Sequence, residues 1–192
     1  AQNLTIPTDS KGDGKVVLAG CLRTTASCPA NGEITAVWVR DTGTTYSERK
    51  FRLFYAVFNG TGWSAATAVD PGSTGTDAEP TLAYSQTGVA QLIWVRDTDR
   101  SLSTVTDRQI FHRQISGGSP VSALSALPAA AVEPSLAVTS SGEMMLAFTV
   151  ATDPLAFIGN QRQLHAAKQS CGESGCNWTY NALIDINGRP VH

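Results

Sequence analysis

Short apolar runs, about four to eight residues long and cut by turn-forming clusters, recur along this chain. No long stretch carries a 3.6-residue period, so strands are predicted and helix is not. The pattern is clearest across 77–131. Residues 80–85 alternate apolar and small polar types, Gln86-Thr87-Gly88 turns the chain, and 89–95 is a run holding Ile93, Trp94 and Val95. A polar loop follows over 97–108, then 109–115 alternates through Ile110, Phe111 and Ile115. Gly117-Gly118-Ser119-Pro120 turns the chain again before 121–127. Four short runs with tight turns predict a four-stranded antiparallel meander.

The meander repeats. Glu79-Pro80-Thr81-Leu82-Ala83 returns as Glu133-Pro134-Ser135-Leu136-Ala137, and Trp94-Val95-Arg96-Asp97-Thr98 is preceded by Trp38-Val39-Arg40-Asp41-Thr42. A worn third copy runs from Phe148 to Asp153. Turn glycines Gly32, Gly88 and Gly142 each stand six residues before Trp38, Trp94 and Phe148. The unit after the middle one fits as 134–139, 143–150, 163–168 and 178–184, and the unit before it as 34–40, 52–58 and 63–69. Such periodicity marks architectures in which each unit buries its apolar face against its neighbours. The expected class is all-β: a β-propeller of about three four-stranded antiparallel blades within a larger or oligomeric ring. The blades are assigned to 32–76, 77–131 and 132–188. Residues 1–31 hold a strand that either opens the first blade or belongs to an earlier one, and 189–192 begin a further inner strand.

The strand-end W-x-x-D, the Pro-led inner strand and Gly60-Thr61-Gly62-Trp63 together resemble blades of sialidase-like (Asp-box) β-propellers. The hairpins depart from the family pattern: Phe58 stands where an Asp is expected, and Cys171-Gly172-Glu173-Ser174-Gly175-Cys176-Asn177-Trp178 has Glu for Asp. The resemblance covers about 32–185 and implies fold. The arginine triad and tyrosine–glutamate pair of sialidase chemistry are not recognisable in this sequence.

Charge and cysteines narrow the function classes. A formal net charge of -2 supplies no basic stripe for nucleic acid. No run approaches the roughly 20 apolar residues of a membrane helix. Cys21 with Cys28, and Cys171 with Cys176, lack C-x-x-C spacing and are expected as two short disulfides, which places the protein in an oxidising, secreted or cell-surface compartment.

Propeller geometry brings the loops after the second strands and those entering the first strands to one mouth. That gathers Arg40, Asp41, Glu79, Arg96, Asp97, Glu133 and Asp153 as candidate ligand-binding residues. Carboxylates there could bond sugar hydroxyls, hold Ca²⁺, or do acid/base work on a glycoside. Equally, each Asp could cap its own loop and each Glu-Pro orient a strand, because catalytic residues occur once whereas structural ones recur per blade. The tryptophans are expected in inter-sheet packing, and His112 and His165 at matching strand positions. No cofactor is implied beyond Ca²⁺. The leading expectation is a non-enzymatic extracellular module for glycans or proteins, completed by a second copy or by the remainder of a longer chain. A sialidase-like hydrolase and a structural component of an extracellular assembly are the alternatives.

Overall fold

The structure is a computed structural model and describes residues 12–21, 28, 32–44, 49–100, 104–115, 119–139, 143–151, 162–172 and 175–183. Asp153 and 189–192 lie outside them, as do the side chains of Cys171 and Cys176. Among the described residues twelve strands make three four-stranded antiparallel sheets, and there is no helix. The first sheet runs β1 (Asp13–Gly20), β2 (Ile34–Asp41), β3 (Phe51–Phe58) and β4 (Thr67–Ala68). The second runs β5 (Thr76–Tyr84), β6 (Ala90–Asp97), β7 (Arg108–Gln114) and β8 (Ser122–Ala123). The third runs β9 (Ala131–Val138), β10 (Met144–Ala151), β11 (Arg162–Gly172) and β12 (Gly175–Ala182). Spatial order follows chain order in every sheet. The segment near the N-terminus therefore supplies the first strand of the first sheet.

Alternation of side chains explains the stacking. On β6, Leu92 and Trp94 point to the first sheet and meet Val37, Leu53 and Val69. The intervening Ile93 points to the third sheet and joins Ile110, Leu127, Leu146 and Phe148. Covered on both faces, β6 is buried along its whole length, with an apolar centre of Leu92, Ile93, Trp94 and Val95 and the polar side chains of Gln91, Arg96 and Asp97 buried towards its ends. The first strands lie side by side, β1 against β5 and β5 against β9, as the inner strands of propeller blades do. Leu136 N donates to Thr81 Oγ1 (3.1 Å) across one such junction.

The outermost strands are shorter than the pattern predicts in the first two sheets. Instead of 63–69 and 121–127, only Thr67–Ala68 and Ser122–Ala123 pair. In the first sheet Trp63 bridges Phe58, Ser64 N donates to Val57 O (2.8 Å) and Val69 N to Leu53 O (2.8 Å), so the chain bows outward between. In the second, Leu127 N turns back to Leu124 O (2.8 Å). Short outer strands leave little edge open to another chain. A disulfide joins Cys21 to Cys28 (Cα–Cα 5.7 Å), and the β11–β12 register sets Cys171 opposite Cys176.

Candidate functional site

The recurring arginines are interior. Arg40 is 4% exposed and forks onto Asp13, Nε to Oδ1 at 2.6 Å and Nη2 to Oδ2 at 2.9 Å. Arg96 donates from Nε to Asp77 Oδ1 at 2.6 Å and forms an ion pair with Asp70 Oδ2 at 2.9 Å. Each guanidinium also lies over an aromatic pair: Arg40 is 4.9 Å from the Phe54 centroid beside Trp38, and Arg96 is 4.4 Å from Phe111 beside Trp94. Asp77 is a hub, accepting Trp94 Nε1 (2.9 Å) and lying 4.0 Å from Arg52 Nη1 of the first sheet. Burial pushes the Arg52 guanidinium below its ordinary value, offset by the Asp77 charge. The third sheet has no such pair. Ala131 faces Val150 where Asp13 faces Arg40 and Asp77 faces Arg96.

The strand-end aspartates behave individually. Asp41 Oδ1 accepts Gly43 N (2.9 Å) and Lys50 N (3.1 Å), which caps its own loop. Asp97 is buried, with Arg108 Nε 3.3 Å from Oδ2. Burial, then the nearby Asp107 charge, raises its carboxyl above the ordinary value.

The two glutamates come together. Each first strand carries an irregularity in its pairing at one repeat position: between Gly14 and Val17 on β1, between Ala78 and Thr81 on β5, and between Val132 and Ser135 on β9, opposite Thr149 and Ala147 of β10. There Lys15, Glu79 and Glu133 take φ of 39°, 53° and 55°. A left-handed backbone at a non-glycine residue, repeated three times beside an extra residue, is a β-bulge that re-aims its side chain. Because the first strands adjoin, the bulges meet. Glu133 N donates to Glu79 Oε2 at 2.6 Å. Glu133 Oε1 pairs with Arg162 Nη1 at 2.5 Å, and its Oε2 accepts Thr149 Oγ1 at 2.9 Å. The Arg162 hydrogen bond, outweighing burial and aided by Thr149 and Lys15, holds the Glu133 carboxyl below its ordinary value. The result is a polar group of Lys15, Glu79, Glu133, Thr149 and Arg162 where the inner strands converge.

Of this group the sequence pattern supplied Glu79 and Glu133 only. Lys15 lacks the Glu-Pro phrase, and its place shows in a subtler series, Asp13-Gly14-Lys15, Asp77-Ala78-Glu79 and Ala131-Val132-Glu133. Arg162 and Thr149 carried no signal. The histidines are offset by one residue: His112 opposes Ile93, whereas His165 opposes Phe148 and replaces Phe111 in the aromatic stack, so they are not equivalent. Asn59 makes a turn, its Oδ1 accepting Thr61 N (3.1 Å) and Gly62 N (3.0 Å). A cleft of about 470 Å³ between the first two sheets holds Asp70, Arg96 and Arg113. Its charges are engaged with the protein, Arg96 with Asp70 and Arg113 Nη1 with Val69 O.

Three antiparallel four-stranded sheets stacked with adjoining first strands define an all-β fold with propeller-like blades. Among solved structures the chain is similar to a thermostable family-43 glycoside hydrolase, at 12% identity and a TM-score of 0.55, over 98% of this chain and 64% of that one. It is also similar to an endo-1,4-beta-xylanase from Bacteroides thetaiotaomicron VPI-5482, at 11% identity and a TM-score of 0.50, over 100% of this chain and 65% of that one. The chain thus spans just under two thirds of the length of either. At these identities the likeness is one of fold. No protein-family model and no curated protein matches the sequence.

Proposed function

We propose that this chain is an extracellular β-propeller module that binds carbohydrate at the group formed by Lys15, Glu79, Glu133 and Arg162. The observation that carries this reading is the meeting of two glutamates at equivalent bulges of adjacent inner strands, Glu133 N on Glu79 Oε2 at 2.6 Å. Carboxylates accept hydrogen bonds from vicinal hydroxyls, and guanidinium and ammonium groups donate to ring and hydroxyl oxygens. Fold neighbours that are a glycoside hydrolase and a xylanase support a sugar as the ligand class. The Cys21–Cys28 disulfide supports an oxidising compartment. The sialidase-like character of the hairpins belongs to this reading as a likeness of blade construction.

Binding is favoured over turnover because both Glu133 oxygens are engaged and its carboxyl is held low, the reverse of what a proton donor to a leaving group needs. A hydrolase remains the second reading, supported by the same pair of carboxylates. The ring is completed by further blades, supported by the outward apolar face of the first sheet: Leu18 is 61% and Ile34 39% exposed, whereas Ala90 at the position matching Ile34 is 1%.

The test is titration calorimetry with xylan, arabinan and sialylated oligosaccharides, alongside a chromogenic glycoside panel. Binding without turnover, weakened about tenfold or more by Glu79→Gln and Glu133→Gln, is expected. Turnover lost in Glu133→Gln would replace the binding reading with the hydrolase. Silence in both assays with ordered self-assembly would favour a structural component.

A further inference from the structure

We propose that the loop between β6 and β7 holds a Ca²⁺ ion between the carboxylates of Asp97, Asp99 and Asp107. One carboxylate oxygen from each of these residues lies within 4.8 Å of the other two. Oxygens that share a Ca²⁺ ion at about 2.3–2.6 Å are separated by no more than about 5 Å, so one ion can touch all three.

The second observation is a buried, unsatisfied anionic oxygen. The Asp97 side chain is 5% exposed, and its Oδ1 has no hydrogen-bond partner. A buried carboxylate oxygen without a donor carries its full desolvation penalty, so it needs a proton or a cation.

Comparison between sheets shows how this oxygen came to be left over. In the first sheet, the equivalent Asp41 closes its loop by taking backbone N–H groups of Gly43 and Lys50. In the second sheet that work has passed to Asp107. Its Oδ2 accepts Thr98 N at 2.8 Å, Asp99 N at 2.8 Å and Thr98 Oγ1 at 3.1 Å. Asp97 is released from capping, yet it stays buried and faces two more acids. Loop closure by Asp107 also fixes Asp99, which is exposed, on the solvent side of the group. Thr104 Oγ1 stands 3.1 Å from Asp99 Oδ2 and 3.4 Å from Asp107 Oδ1, a neutral oxygen at the same spot. Arg108 offsets one of three negative charges, and a divalent cation offsets the rest.

The donor set selects the metal. All donors are hard oxygens, and no imidazole or thiolate joins the group, which disfavours zinc and copper. Three carboxylates around one loop suit Ca²⁺, which takes about six to eight oxygens in variable geometry, better than Mg²⁺, which demands near-octahedral geometry.

The test is equilibrium dialysis of the full chain against CaCl₂, with MgCl₂ as control, and thermal unfolding in CaCl₂ and in EGTA. One Ca²⁺ per chain is expected, with a Kd of roughly 10⁻⁴–10⁻³ M, as in extracellular modules, and an unfolding temperature that rises with CaCl₂. Asp99→Asn, at an exposed position, should keep its unfolding temperature in EGTA and weaken Ca²⁺ at least tenfold. Asp97→Asn should fold in EGTA at least as well as the wild type and lose the CaCl₂ response. A folded wild-type chain that takes up no Ca²⁺ by about 10 mM, roughly tenfold above that range, would overturn the proposal in favour of a proton shared between Asp97 and Asp99. Unchanged affinity in Asp99→Asn would overturn it as well.

Discussion

Asp77 gathers three buried partners where the first two sheets meet. It is 1% exposed and receives an indole N–H and a guanidinium of its own sheet while facing Arg52 of the next. Removing one partner from a buried ionic group leaves the others uncompensated, at a cost of about 3–5 kcal/mol. Asp77→Ala is expected to lose that much in urea unfolding. Asp13→Ala should cost less, because Asp13 is 25% exposed and water can reach the freed Arg40. Gly75, just before β5, is equally constrained. A Cβ there would sit 2.5 Å from Asp97 O and 2.8 Å from Arg96 Cγ, so Gly75→Ala should cost about 1–3 kcal/mol by overpacking, read as a lower urea midpoint at unchanged slope. None of this shows in the sequence at the level of single residues. Arg40 and Arg96 stood out by repetition, but whether a repeated arginine faces solvent or an aromatic stack depends on which neighbour covers it.

Among the strands, the bulge is the recurring device, and it was half legible. The Glu-Pro phrase marked two of three bulges, because proline suits a position where ladder pairing lapses. The third, at Lys15, was invisible for want of the proline. The second strands were legible from their apolar centres, such as 92–95 of β6, which packs against a sheet on either face. The outermost strands of the first two sheets are shorter than their composition suggests, because Ala65-Ala66 and Ser125-Ala126 keep it apolar while the backbone leaves the ladder. The Glu133 bulge also predicts a pH dependence. Its carboxyl is depressed in the folded state, so its contribution to stability is full above the ordinary value of 4.5 and is lost as pH falls through the lower folded value. The difference in unfolding temperature between wild type and Glu133→Gln should therefore be present at pH 7 and shrink below about pH 4.5. Its size is trimmed by solvent screening, since Glu133 is 53% exposed. His112 and His165, whose burial lowers them, destabilise both proteins alike as pH falls through 6.5, and they cancel in the difference.

At the scale of the molecule, the three sheets form a linear stack whose two interfaces share no buried side chain. Energies in such arrays approach a sum of unit and nearest-neighbour contributions. Leu53→Ala strikes the first interface and Leu146→Ala the second, each at about 2–5 kcal/mol. Their costs should add within about 0.5 kcal/mol in a double-mutant cycle followed in stabilising osmolyte. Stacking order was legible from the period of the repeat. The convergence of Lys15, Glu79, Glu133 and Arg162 was not, because it depends on how far each first strand is rotated about its neighbour, which no single repeat encodes.

The unequal treatment of two equivalent tryptophans gives the stack a built-in optical readout. Trp94 donates its indole N–H to Asp77, whereas the Trp38 indole N–H is buried without a partner beside an Arg40 that forks onto both oxygens of Asp13. An indole bonded to a carboxylate and one bonded to nothing emit at different wavelengths. With Trp63 and Trp178 replaced by Phe, the first and second sheets would each keep one fluorophore in a different setting, and spectrally resolved emission during unfolding would report which sheet lets go first without a label being added.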